Sequence, residues 1–159
     1  MTIRANDLSQ YSERFLKWCS NDLPLKLKTS WEDFSVYECV HEGKDIVVFK
    51  LGGEAVASIA TVDLNVRNYV LLDVIAVDSN SKNLGVFRSI LRFLLSNYDG
   101  VVIGSVHSAE MTKVLASGLS QFRKFMFNVD NFLETAIDER LYSTRAEPTK
   151  WRVLIKSCT

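Results

Sequence analysis

The sequence predicts one α/β (α+β) domain, a mixed central sheet flanked by helices. Three observations carry this expectation. Apolar residues recur at helical spacing near the start, β-branched runs meet at Gly52-Gly53, and an almost wholly apolar strand leads through a polar loop into a second helical pattern. A chain of 159 residues is one domain's worth, because two cores would leave each half near the lower limit of independent folding. Residues 1–159 are therefore read as a single domain.

Leu8, Tyr11, Phe15, Trp18 and Cys19 follow Asn6-Asp7, which serves as an N-cap, and Pro24 stops the pattern, so a helix is expected over roughly 7–22. A second helix is expected from Ser30, with Asp33 in capping-box position and Trp31, Phe34 and Tyr37 or Glu38 on one face. Residues 45–51 and 54–64 read as strands joined by Gly52-Gly53, a two-residue hairpin turn. Residues 69–77 (YVLLDVIAV) read as a strand buried on both faces, with Asp73 its single charge. Beyond the loop SNSKNLG, Phe87, Ile90, Leu91, Leu94 and Leu95 form the buried face of a helix, with Arg88 and Arg92 off it.

Residues 101–106 follow as a strand parallel to 69–77, closing a right-handed βαβ unit. Ser108 caps a helix through Ser117, ended by Gly118. Residues 122–129 and 151–157 are the last strands, with a helical stretch expected at 131–141 between them. The final strand could pair across a homodimer if left as an edge.

Hydrophobic residues make up 47% of the chain and Pro numbers only 2, which excludes disordered and low-complexity architectures. Basic and acidic residues balance at 19 each, so no net field attracts a nucleic acid or an anionic membrane, and neither partner is expected. Three cysteines at wide spacing fit neither a disulfide framework nor paired CxxC zinc ligands. With no signal-peptide pattern at the start, a reduced, cytoplasmic protein is expected. His41 with Glu38 and Glu42 on the same expected helix makes no supported metal-ligand spacing, HExxH is absent, and no Ser stands in a GxSxG elbow. Lys113, Arg123 and Lys124 gather near Phe122, Phe125 and Phe127 in the manner of a stacking platform for single strands. Alternation is expected to set rings and charges on differing faces, leaving a core strand with a solvated edge.

The chemically informative stretch is 77–91, VDSNSKNLGVFRSIL, which carries a buried strand through a polar loop into a helix N-terminus. Such a terminus presents unpaired N–H groups and the positive end of a dipole, suited to phosphate or pyrophosphate. Gly85 allows close backbone approach and Lys82 could add a charge; a plain connection is the competing reading.

Here the sequence resembles the GNAT superfamily of N-acetyltransferases. The family's acetyl-CoA motif reads Arg or Gln, two residues, Gly, one residue, Gly or Ala, after an L-A-V-D-type strand end. Ile75-Ala76-Val77-Asp78 looks like that strand end, and Lys82-Asn83-Leu84-Gly85-Val86-Phe87 falls on the motif without a gap, followed by Ile90-Leu91 at the aliphatic pair. Lys82 stands where the family has Arg or Gln, and Phe87 where it has a second small residue.

The resemblance implies a GNAT-like acyl-CoA N-acyltransferase fold that binds acetyl-CoA or CoA and acetylates a small-molecule or protein amine. Amides of Asn83, Leu84, Gly85, Val86 and Phe87 would hold the cofactor phosphates, and the backbone of Ile75, Ala76 and Val77 would pair with the pantetheine arm. Where the family often has an Asn and then a general-acid Tyr, the nearest places hold Ser108 and Leu115. Asp73 shares a strand face with Ile75 and Val77, so Asp73 and Ser108 are the candidate catalytic residues, Asp73 as a base toward an ammonium. An ion-paired or solvated Asp73 is the competing reading, and His107 at a strand end is either a ligand contact or a structural histidine.

The alternative from a different class is a protein of this fold that has lost its chemistry and serves as a binding or assembly module, as in a small genome such as a phage's. A nucleotide-binding doubly wound domain is a third alternative, disfavoured because the hairpin precedes the βαβ unit.

Overall fold

A computed structural model describes residues 5–78, 80, 84–103, 121–137 and 151–158, with the side chains of residues 13–78, 80, 85–103, 121–137 and 151–158. The chain divides into two compact units, Met1–Val62 with Val74–Ser89, and Asp63–Asp73 with Ile90–Thr159. Strand β5 (Tyr69–Val77) and helix α2 (Leu84–Leu95) contribute a half to each.

The first unit begins with helix α1, Ala5–Asn21, whose last bond runs from Asp22 N to Trp18 O (3.0 Å) before Pro24 ends the pattern, as the sequence predicts. Four strands follow in a meander: β1 (Lys26–Trp31), β2 (Phe34–His41), β3 (Lys44–Leu51) and β4 (Glu54–Asp63). Their antiparallel registers include Trp31↔Phe34, His41↔Lys44 and Leu51↔Glu54.

The Gly52-Gly53 hairpin forms as expected, with both residues at positive φ (61° and 85°), the turn that matches strand twist. The helix expected from Ser30 does not form. Residues 34–41 form a strand instead, with Val36 fully buried, and Glu32-Asp33 make the turn, Glu32 in the left-handed region at φ 51°. Pairing with β3 over seven residues outweighs a weak capping signal, and it places His41 at a strand end rather than on a helix with Glu38 and Glu42.

Burial explains the patterns. Strand β3 buries four consecutive residues and β4 six, which requires cover on both faces. On one face Cys19 of α1 packs with Ile46, Val48 and Ala60, flanked by Phe15, Trp18 and Val74. Cys19 is fully enclosed; burial pushes its thiol up to about 11, so it behaves as a core hydrophobe.

In the second unit the first half of β5 runs parallel to β6 (Gly100–Ile103), as the strand–helix–strand order predicts. Strand β7 (Phe122–Asn128) pairs with β8 (Leu133–Ala136) and with β9 (Trp151–Ser157), and β9 also pairs with β6. The sheet is therefore mixed. Its core joins Tyr69, Val102, Phe127 and Leu154.

Three expectations change here. Residues 133–136 extend β7 as a strand where a helix from 131 was expected, because Asn128 Oδ1 accepts from the amides of Asp130 (2.9 Å) and Asn131 (3.4 Å) and turns the chain back. Strand β9 lies between β6 and β7, so it is no edge and cannot supply the expected dimer pairing. Arg123 lies over the Phe125 ring at 5.9 Å, so this ring and this charge share a face rather than opposing each other. The expected helix at 108–117 and the end of the 101–106 strand lie outside the described residues.

Candidate functional site

The expected cofactor site falls within the first unit. At the end of β5 the amide of Asp78 donates to the Val56 carbonyl of β4 (2.8 Å), which ties this end of the strand on one side. Ala76 is buried, while Ile75 and Val77 are half-buried. The pairing of β5 with β6 stops at Leu72↔Ile103, and among the described residues no strand pairs with the other edge of Val74–Val77. An edge of this kind presents backbone donors and acceptors to a ligand arm.

Helix α2 opens at Leu84, so Gly85, Val86 and Phe87 lie in its first turn, at the positive end of the helix dipole. No acidic residue stands in that turn. Gly85 is exposed, and Val86 and Phe87 are half-buried. A side-chain clamp holds this half of the helix: Trp31 Nε1 donates to Ser89 O (3.1 Å), and Ser89 Oγ donates to Glu32 Oε2 (2.7 Å). The unexpected β1–β2 turn thus positions the helix that the motif predicted.

Of the remaining candidates, Lys82, Asn83, His107, Ser108 and Leu115 lie outside the described residues, and the Leu84 side chain is likewise not described. Asp73 is half-buried and engaged in an interaction, and it belongs to the second unit's share of β5. The structure thus brings Ile75, Ala76, Val77, Gly85, Val86 and Phe87 into one unit.

The second unit holds a group that sequence reasoning did not find. Glu134 of β8 accepts the Tyr69 hydroxyl, Arg67 Nη1 (2.9 Å) and Lys156 Nζ (3.0 Å). Lys156 also stands 5.3 Å over the Tyr69 ring. Burial alone would raise the Glu134 carboxyl, but the bonds from Tyr69, Lys156 and Arg67 outweigh it and hold the group below its ordinary value. Burial alone would lower Lys156, and its bonds to Tyr69 and Glu134 raise it instead. Both partners stay charged. Nothing in the linear sequence links positions 67, 69, 134 and 156; the pairs Phe127↔Glu134 and Arg123↔Lys156 set Glu134 and Lys156 on one face of the sheet, where their long side chains meet.

A pH dependence follows. The unfolded chain titrates Glu134 near 4.5 and the folded chain lower, so its stabilisation is complete above 4.5 and is lost as pH falls through the folded value. The stability gap between the protein and its Glu134→Gln variant, measured by denaturant titration, should therefore shrink as pH is lowered from 6 toward 3. A gap constant over that range would show that the cluster does not hold Glu134 ionised.

Comparison with known proteins adds the following. No protein-family model and no curated protein matches the sequence. Among solved structures, one match is a GNAT family acetyltransferase from Elizabethkingia anophelis with acetyl-CoA bound: 13% identity over 79% of this chain and 98% of that one, TM-score 0.49. A second is the ribosomal-protein-S18-alanine N-acetyltransferase from Escherichia coli, at 14% identity over 100% of this chain and 92% of that one, TM-score 0.46. A third is the putative N-acetyl transferase YhhK from E. coli bound to coenzyme A, at 14% identity over 77% and 85%, TM-score 0.43. With identity this low and TM-scores under 0.5, these likenesses carry no functional argument. What the comparisons add is a similarity, at low identity, to solved structures of GNAT acetyltransferases.

Proposed function

We propose that this protein is an acetyl-CoA-dependent N-acetyltransferase acting on an amine. The observation that carries the reading is the junction of Val74–Val77 with the first turn of α2: a strand edge unpaired among the described residues, leading to an acid-free helix start with Gly85 exposed. These features fit CoA. The amides of Gly85, Val86 and Phe87 would hold its pyrophosphate, and the edge of Ile75–Val77 would pair with its pantetheine arm. When bound, acetyl-CoA supplies an activated acyl group. The chain's own part is to hold the acceptor in line and to take its proton. Asp73 is the proposed base, receiving a proton from the acceptor's ammonium.

Acetyl-CoA should raise the melting temperature by about 5–10 °C at a hundredfold excess over Kd. Asp73→Asn should keep that rise and slow acetylation of an amine panel by at least about a hundredfold. No rise at millimolar acetyl-CoA or CoA would sink the reading, and unchanged turnover would remove Asp73 from it.

A second reading is favoured by Phe87, which stands half-buried in the first turn of α2 where the resembled motif has a small residue. A chain that binds CoA without acetylating any amine would be a binding or assembly module.

A further inference from the structure

We propose that the second unit carries a binding pocket for a small molecule bearing an oxyanion, phosphate or carboxylate, held by Arg67, Arg123 and Lys156. The proposal is independent of the acetyltransferase reading, since it concerns other residues. A cavity of about 540 Å³ is lined by these three cations together with Tyr69, Tyr98 and Asp99. The volume admits a small molecule rather than a lone ion.

The charges do not balance. Asp99 is the one carboxylate in the lining, and Glu134 behind it is shared between Arg67 and Lys156. One positive charge remains in excess within a concave site, where low-dielectric walls concentrate its field.

The donors do not balance either. Among the described residues, the Arg123 guanidinium makes one hydrogen bond, from Nε to the Ser157 carbonyl (2.8 Å), which orients it and leaves both Nη groups for a ligand. Arg67 uses Nη1 on Glu134, and the remaining donors of its guanidinium have no partner among the described residues. Lys156 has three N–H donors, of which Glu134 takes one while the ammonium lies 5.3 Å over the Tyr69 ring. Five N–H donors in a planar fork suit the geometry of carboxylate and phosphate oxygens.

The backbone is arranged to the same end. Asn65, Arg67 and Asn68 all hold left-handed φ values (57°, 51° and 55°) in the β4–β5 turn. Asparagine tolerates that region, but for arginine it costs on the order of 1 kcal/mol. The Asp63 carboxylate accepts from Asn65 N (2.7 Å), and the Asn68 carbonyl accepts from Asp99 N (2.9 Å), so the turn is held against this cost. Strain retained at a residue that faces a cavity is a mark of a site rather than of a connection.

The test titrates the full chain carrying Gly85→Glu, which removes phosphate binding at α2. Inorganic phosphate and succinate are added separately, at constant ionic strength maintained with chloride, and amide NMR and melting temperature are followed. Saturable shifts with at least one anion, centred on residues 67, 69, 99, 123 and 156, are expected; the stronger of the two identifies the ligand class. Arg123→Gln, added to the same background, should weaken that binding at least tenfold while the fold is retained. Absence of stabilisation beyond chloride by either anion, or equal binding by the Arg123→Gln protein, would overturn the proposal.

Discussion

Gly85→Glu should abolish the stabilisation by acetyl-CoA while leaving the free protein as stable as before, or slightly more so. Gly85 is exposed in the first turn of α2, so the new side chain meets solvent rather than core. Replacing a helical glycine removes an entropic cost of about 0.5–1 kcal/mol. A carboxylate in the first helical turn, where this helix has none, adds about 0.3–1 kcal/mol through the dipole. The same carboxylate stands where the pyrophosphate would bind and opposes it by charge and by bulk. A loss of at least about a hundredfold in affinity, about 2.7 kcal/mol, is expected by calorimetry. The two effects have opposite signs, so a general loss of structure cannot imitate them. Retained tight binding would place the cofactor elsewhere on the chain.

Gly100→Ala should destabilise the protein by about 2–3 kcal/mol, although alanine normally suits a strand better than glycine. A Cβ at this position would lie 2.7 and 2.8 Å from Cδ1 and Cε1 of Tyr69 and 2.9 Å from Leu154 Cδ1. Neither neighbour has room to move. Tyr69 is 3% exposed and Leu154 fully buried, and the tyrosine is anchored at its far end by Glu134. Relief would require the ring to leave that cluster, so the acid-dependent stability assigned to Glu134 should weaken in the same variant. Gly43 offers a control: nothing lies within 4 Å of its Cβ position, and Gly43→Ala should cost only the strain of its positive φ, about 1 kcal/mol. Denaturant titration of the three proteins gives the order. Equal stability of Gly100→Ala and the parent would show that Gly100 does not face Tyr69.

Local patterns carried much of the fold. The Gly52-Gly53 turn, the apolar run 69–77, the stripe of Ile90, Leu91 and Leu94, and the strand at 151–157 each announce themselves within a dozen residues, because burial imposes a period on neighbouring positions. The two expected helices that proved to be strands failed for one reason. Residues 34–41 and 133–136 are polar enough to read either way, and the neighbouring edges of β3 and β7 decided them.

The candidate cofactor site was legible as a motif, since Ile75 to Val77 and Gly85 to Phe87 are close in sequence and the strand–loop–helix path joins them directly. The clamp of Trp31 and Glu32 on Ser89 was not legible, because it spans more than fifty residues and depends on a turn at positive φ.

Residue spacing over a few turns was enough to specify a mixed sheet with helices and a strand–loop–helix path from Ile75 to Phe87, because burial and turn chemistry act between near neighbours. The meeting of Arg67, Tyr69, Glu134 and Lys156 in one cluster beside a cavity depends instead on contacts between distant segments. Strand registers and a strained turn align them, and charges so far apart in the chain meet only where backbone pairing, itself driven by burial of residues such as Phe127 and Leu154, fixes their separation.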